Sequence, residues 1–309
     1  MNTSPVHGIE VEGLSKRYGS FWALKNCSFF LPQGRIAGLV GPNGAGKTTL
    51  MSILIGLLEA DEGKAKVLGY SVKEKLSEIL PKIGFLAQEH PLYDSFSVKE
   101  MFGVGRAMNF TWDDSFAYRK LAALEIPLKQ KISKLSGGQR AQVALMLTLA
   151  KKPKLLILDE PFASLDPLAR QDFMQILLED VAENGQTVLI SSHQISDLSR
   201  FCDSLVLLSR GSCLIAGDLE YLLASHCWLT TRSEHLEALK SKYPVITSRV
   251  CEHNSHLLLR IDQAMGPDES EGVREEVSLE DLVLSYLEHA RNKRDSEAEC
   301  KFFSGEENE

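Results

Sequence analysis

Lys47 and Thr48 close the run Gly41-Pro42-Asn43-Gly44-Ala45-Gly46-Lys47-Thr48, a combination of residue types suited to holding phosphate. Glycines at 41, 44 and 46 let the backbone turn tightly and bring its N–H groups against phosphate oxygens, an approach that a Cβ would obstruct. Lys47 would then reach the β- and γ-phosphates, and Thr48 would ligate Mg²⁺ through its hydroxyl. Far downstream, the apolar run Leu155-Leu156-Ile157-Leu158 ends in Asp159 and Glu160. A buried strand in a doubly wound sheet delivers such carboxylates to the ligand crevice. Asp159 would hold Mg²⁺ in its outer shell, and Glu160 would polarise the water that attacks the γ-phosphate.

These groups need a strand before the loop and a helix after it. Ile36-Ala37-Gly38-Leu39-Val40 supplies the first, and the run from Thr49 through Leu54 opens the second. The first forty residues alternate short β-like runs with turns: Ile9–Val11, Trp22–Leu24 and Cys27–Leu31, then Pro32-Gln33-Gly34. They predict an antiparallel β subdomain leading into the loop. Periodicity turns helical from about Ser97 to Ala150, with Ala117, Leu121 and Leu124 on one face and a second run from Gln139. Leu155–Leu158 and Thr187–Ile190 read as buried parallel strands, apolar on both faces because helices cover both. Leu205–Leu208 and a turn at Gly211 close this region near Ser225. Beyond it stand strand-like Val245–Thr247 and His256–Ile261, then a helix over 278–290 with Ser278 as N-cap and Asp281 at N3. The charged stretch from Arg291 to Glu309 predicts disorder.

At 309 residues and 44% hydrophobic, the chain can bury a full core in one or two domains. A net charge of −8 without clustered Lys and Arg argues against a nucleic-acid partner. The six cysteines are scattered at neither metal-ligand nor redox spacing, so reduced thiols are expected. Met1–His7 carries no basic region followed by an apolar one, and no apolar run approaches the roughly 18 residues that span a bilayer, so another chain would have to hold this one at a membrane.

Leu135-Ser136-Gly137-Gly138-Gln139-Arg140 moves the reading beyond a generic phosphate-loop protein. With the loop and the Asp-Glu strand end, it resembles the ATP-binding cassette (ABC) ATPases, whose signature is Leu-Ser-Gly-Gly-Gln. The resemblance covers residues 9 to 225 and implies a P-loop NTPase α/β fold, with a parallel-sheet core, an antiparallel β subdomain and an α-helical signature subdomain over about 91–150. The cassette would span 1–225, a small α/β accessory domain 226–290, and a charged tail 291–309.

The same resemblance implies individual roles. Pro42, Asn43, Ala45 and Thr49 join the loop glycines, Lys47 and Thr48 in binding ATP, and Tyr18 stacks on adenine. Gln88 matches the glutamine that touches Mg²⁺, and His193 the switch histidine that reaches the γ-phosphate and steadies Glu160. Ser136, Gly137, Gly138 and Gln139 would complete the ATP site of a partner cassette, as homodimer or heterodimer, with Ser164-Leu165-Asp166 bridging the two sites. One departure is Ala144–Ala150, which lacks the arginine common in that helix of the family.

Three kinds of cassette share these motifs. Translation-factor types normally carry two cassettes in one chain, whereas this chain has one phosphate loop; DNA-repair types carry long coiled-coil or zinc insertions, and neither heptads nor paired cysteines occur. The remaining reading is the ATPase subunit of a membrane transporter, peripheral on the cytoplasmic face and held there by a separate permease. Pro161–Arg170 and the helix at Glu276–Leu282 are similar to ABC-2-type bacterial exporters of the antibiotic, bacteriocin and envelope-stress kind. An importer ATPase, or a soluble non-transport ABC ATPase, stays as the alternative.

Overall fold

The computed structural model describes residues 7–163, 165–251, 253–261 and 266–304, which fall into two compact units divided between Cys213 and Leu214. The first begins with the long strands β1 (His7–Tyr18) and β2 (Phe21–Pro32), then β3 (Ile36–Val40) and α1 (Lys47–Leu54). β4 (Glu62–Val67), β5 (Tyr70–Ser71), α2 (Leu76–Ile79) and β6 (Ile83–Leu86) follow, and then the helices α3 (Val98–Met108), α4 (Asp114–Ala123) and α5 (Gly137–Ala150). β7 (Leu155–Leu158), α6 (Pro167–Asn184), β8 (Thr187–Ser191), α7 (Ile195–Leu198), β9 (Ser204–Ser209) and the start of β10 (Ser212–Asp218) complete it.

The sheet that positions the site runs β9-β3-β8-β7-β6, all parallel. Its strands are apolar throughout: β7 is buried at every position and so is β8, as expected where helices cover both faces. A second, antiparallel sheet is ordered β2-β1-β4-β5. The sequence predicts separate runs at 22–24 and 27–31, but the structure joins them in β2. Lys25 and Asn26 break the alternation without ending the strand. Asn26 takes φ 49 and donates its N–H to Ser15 Oγ at 3.0 Å, so a bulge absorbs the irregularity.

Local chemistry sets the helix starts. Ser97 and Glu100 form a capping box on α3, Asp113 accepts from the Phe116 N–H on α4, and Ser136 and Gln139 form a second box on α5. α6 opens on the Asp166 cap with Pro167 in its first turn and stops at Gly185 in the left-handed region (φ 62).

The second unit holds α8 (Leu219–Ala224), β11 (His226–Arg232), α9 (Leu236–Lys242), β12 (Val245–Cys251), β13 (Asn254–Arg260), β14 (Val273–Glu275) and α10 (Leu279–Ser304). Its antiparallel sheet is ordered β12-β13-β11-β14. Cys227, Leu229, Leu257 and Leu259 on one face pack with Leu239 and Tyr243 of the α9 region. α10 lies against β12, and Tyr286 Oη bonds the buried His226 Nε2 at 2.9 Å while His226 Nδ1 bonds Leu222 O at 2.7 Å. Burial is the main reason the His226 imidazole titrates below its ordinary value.

The structure differs from the sequence reading at two points. The compact units divide between Cys213 and Leu214, where the sequence reading has the cassette closing near 225. The helix predicted over 278–290 starts as expected, with the Asp281 N–H donating to Ser278 Oγ at 3.1 Å, but it continues to Ser304 through residues predicted to be disordered. Arg, Lys, Glu and Ala are strong helix formers, and scarcity of apolar residues weakens packing without weakening helix propensity. Residues 305–309 lie outside the described ones.

Candidate functional site

The glycine loop joins β3 to α1 at the end of the parallel sheet. Gly46 takes φ 103, and a Cβ there would meet the Ala23 carbonyl oxygen at 2.5 Å, so no other residue fits. The loop closes on itself through the Ala45 N–H, which donates to Pro42 O at 3.0 Å. Lys47 is buried under it. Its Nζ donates to Gly41 O at 2.7 Å and lies 3.6 Å from Glu160 Oε1.

β7 and β8 run in parallel register with Leu158 opposite Ile190, so Asp159 and Ser191 emerge side by side. The buried Asp159 carboxylate accepts from Thr48 Oγ1 at 2.8 Å on one oxygen and from Ser191 Oγ at 2.7 Å on the other. Glu160 follows in the left-handed region, φ 46, a conformation that a non-glycine residue holds only when its surroundings enforce it. Its N–H donates to Ser191 Oγ at 2.7 Å, and its Oε2 is 2.8 Å from His193 Nδ1. A cleft of about 630 Å³ collects residues 43–49, Gln88, Glu160 and His193 below the exposed rings of Tyr18 and Phe21. Thr48 hydroxyl, Asp159 carboxylate and Gln88 amide are hard oxygen donors, the set that Mg²⁺ takes together with nucleotide phosphates.

Ser136, Gly137, Gly138, Gln139 and Asp166 do not line this cleft. Ser136 Oγ and the Gln139 side chain are engaged in the α5 capping box, and Asp166 Oδ1 accepts the Leu168 and Ala169 N–H groups at 3.0 and 2.9 Å. A Cβ on Gly138 would meet Ala169 Cβ at 2.8 Å, so α5 and α6 approach closely there. Ser164 lies outside the described residues. On the same helix Arg140 Nη2 donates to Leu92 O at 2.9 Å and Nε to His90 O at 3.2 Å, tying α5 to the segment just after Gln88.

Sequence reasoning missed three residues of this neighbourhood. Phe21 pairs with Tyr18 across the β1–β2 turn and shares the rim, and its signal was an aromatic just past Gly19-Ser20. Arg170 donates to Gln194 Oε1 at 2.5 Å and Asp197 Oδ2 at 2.8 Å, bracing the segment after His193. Ser191 gave no signal beyond its place before His193.

A separate apolar groove, also about 630 Å³, is lined by Leu57, Leu80, Tyr93, Met108, Phe110 and Trp112 among others. Phe110 is 100% exposed and Met108 78%.

The family profile described as ABC transporter matches residues 24–163. The chain is 32% identical over 214 residues to the ABC transporter ATP-binding protein YtrB of Bacillus subtilis (strain 168), covering 69% of this chain and 73% of that protein. It is 33% identical to the Nod factor export ATP-binding protein I of Burkholderia lata, covering 72% of this chain and 74% of the relative. Against the probable multidrug ABC transporter ATP-binding protein YbhF of Escherichia coli (strain K12) it is 33% identical over 70% of its length but spans 38% of that longer protein. Among solved structures, the dimeric bacterial ABC transporter cassette MJ0796 superposes with a TM-score of 0.61 at 27% identity, over 68% of this chain and 98% of that one.

Proposed function

The chain belongs to the ABC transporter ATP-binding proteins, and from that premise we propose that it is the motor subunit of an exporter whose membrane path lies on a separate chain. As a member of that family it binds and hydrolyses ATP. In this reading the loop N–H groups and Lys47 hold the phosphates, Tyr18 and Phe21 cover the adenine, and Glu160 accepts the proton of the attacking water while His193 fixes its carboxylate. Thr48, Asp159 and Gln88 would hold Mg²⁺, which neutralises charge on the phosphates when bound. Ser136, Gly138 and Asp166 face a second cassette rather than their own cleft, which is why a dimer is part of the proposal.

The observation that carries the transporter reading is the exposed apolar groove around Phe110. No helix among the described residues is long and apolar enough to cross a membrane, and exposed apolar side chains gathered in one groove, Phe110, Met108 and Tyr93 among them, make a surface suited to an apolar partner. We assign the groove to an apolar segment of the permease on the cytoplasmic side. Export is supported by the Nod factor relative, whose name states it. Tagged chain purified from detergent-solubilised membranes should bring down a multi-spanning protein, and Phe110→Glu with Met108→Glu should release it while ATP hydrolysis by the isolated chain persists. Recovery of soluble partners alone would sink the transporter reading. Cells lacking the chain should become hypersensitive to membrane-active antibiotics; a nutrient requirement with unchanged sensitivity would make it an importer.

A further inference from the structure

Ser191 is fully buried at the end of β8, and its hydroxyl has two partners. Because the Glu160 N–H can only donate, Ser191 Oγ accepts it at 2.7 Å, and its own proton goes to Asp159 Oδ1, also at 2.7 Å. A directed chain results: Glu160 amide to Ser191 hydroxyl to Asp159 carboxylate, each bond polarising the next. The other Asp159 oxygen is held by Thr48 from α1, the residue that would turn away to a metal. Ser191 keeps its hold in either case. The same hydroxyl pins the one backbone amide whose position defines the left-handed turn at Glu160, and that turn aims the carboxylate at His193 and Lys47.

We propose that Ser191 is a positioning residue for ATP hydrolysis, fixing the Asp159 carboxylate and the Glu160 backbone relative to each other through one hydroxyl. The inference rests on the reading of Glu160 as the base, and the tests separate the two. In nucleotide-free Ser191→Ala, amide exchange at Glu160 should accelerate at least about tenfold, since its acceptor is gone. kcat should fall about 10- to 100-fold and the Mg²⁺ concentration for half-maximal rate should rise, while ATP binding without Mg²⁺ stays within about twofold, the pattern for a group that orients ligands without touching substrate. Ser191→Thr, which keeps the hydroxyl, should recover most of both. Ser191→Cys, of similar volume but a far weaker donor, takes the place of the alanine variant if that one fails to melt cooperatively. In a Glu160→Gln background at saturating Mg²⁺, Ser191→Ala should slow turnover far less than it does in the wild type, because the arm that acts through Glu160 is already lost. Wild-type kcat, Mg²⁺ dependence and Glu160 exchange in Ser191→Ala would overturn the inference. Persistent turnover in Glu160→Gln with fast Glu160 exchange in Ser191→Ala would remove the base and leave the hydroxyl's hold on the backbone standing.

Discussion

Glu160 receives contacts from two separate stretches of chain: Lys47 from the start of α1, and the end of β8 with the segment after it, which supplies His193 to the carboxylate and Ser191 to the backbone N–H. A carboxylate so placed can take a proton without first reorganising its partners, which is the condition for efficient general-base work. Glu160→Gln keeps the volume and the ability to hydrogen-bond His193 but removes basicity. Turnover should fall at least about 10²-fold, the low end of general-base contributions, with ATP still bound. Phosphate release and a fluorescent-nucleotide titration on the same preparation check both halves, and near-normal release would exclude the role.

At the scale of elements, helix caps decide where the signature region begins and ends. Asp113 caps α4 with an N–H acceptance from Phe116 at 3.0 Å and also meets Lys152 at 2.7 Å. The Lys152 contact first, then the Phe116 and Ser115 hydrogen bonds, hold its carboxyl well below the usual range. A depressed folded-state value means stability that is fully present above the unfolded value near about 4 and is lost as pH falls below it. Asp113→Ala should therefore destabilise the protein by about 1 kcal/mol at neutral pH, the usual worth of a cap, and by progressively less as pH drops below about 4. Urea melts at pH 7 and pH 3 test it; an equal penalty at both would show that the charge of Asp113 contributes nothing. The caps at Ser136 and Asp166 serve the same local purpose, so those two residues carry structural work whatever a partner cassette asks of them.

That double duty shapes the prediction for the whole molecule. Ser136 and Gly138 lie outside the chain's own cleft, and a relative of similar fold is a dimer. Glu160→Gln protein should dimerise on adding ATP with Mg²⁺, because hydrolysis can no longer remove the γ-phosphate that would bridge the halves. Ser136→Asp in that background keeps an N-cap acceptor for α5 yet sets a negative charge against the partner's phosphate. It should abolish the dimer while leaving nucleotide binding intact. Light scattering that finds the same ATP-dependent dimer in both proteins would refute a composite site.

Much of the candidate site is legible in the chain because its chemistry is local. The spacing of glycines before Lys47, the apolar run into Asp159 and Glu160, and the Ser-Gly-Gly turn into α5 each need only a few consecutive residues, and each stands where the sequence puts it. Lys25-Asn26 misleads for the same reason, since a bulge looks like a break until the partner strand shows otherwise. The charged tail misleads because composition reports on packing, not on helix propensity. What only the tertiary structure decides is which side chains meet across long separations. Ser191 is one serine among many until the Leu158–Ile190 register sets it beside Asp159, 32 residues away in sequence, and Arg170 gains its place by reaching across to Asp197. Strand register and helix approach are collective outcomes of core packing, and no window of sequence contains them.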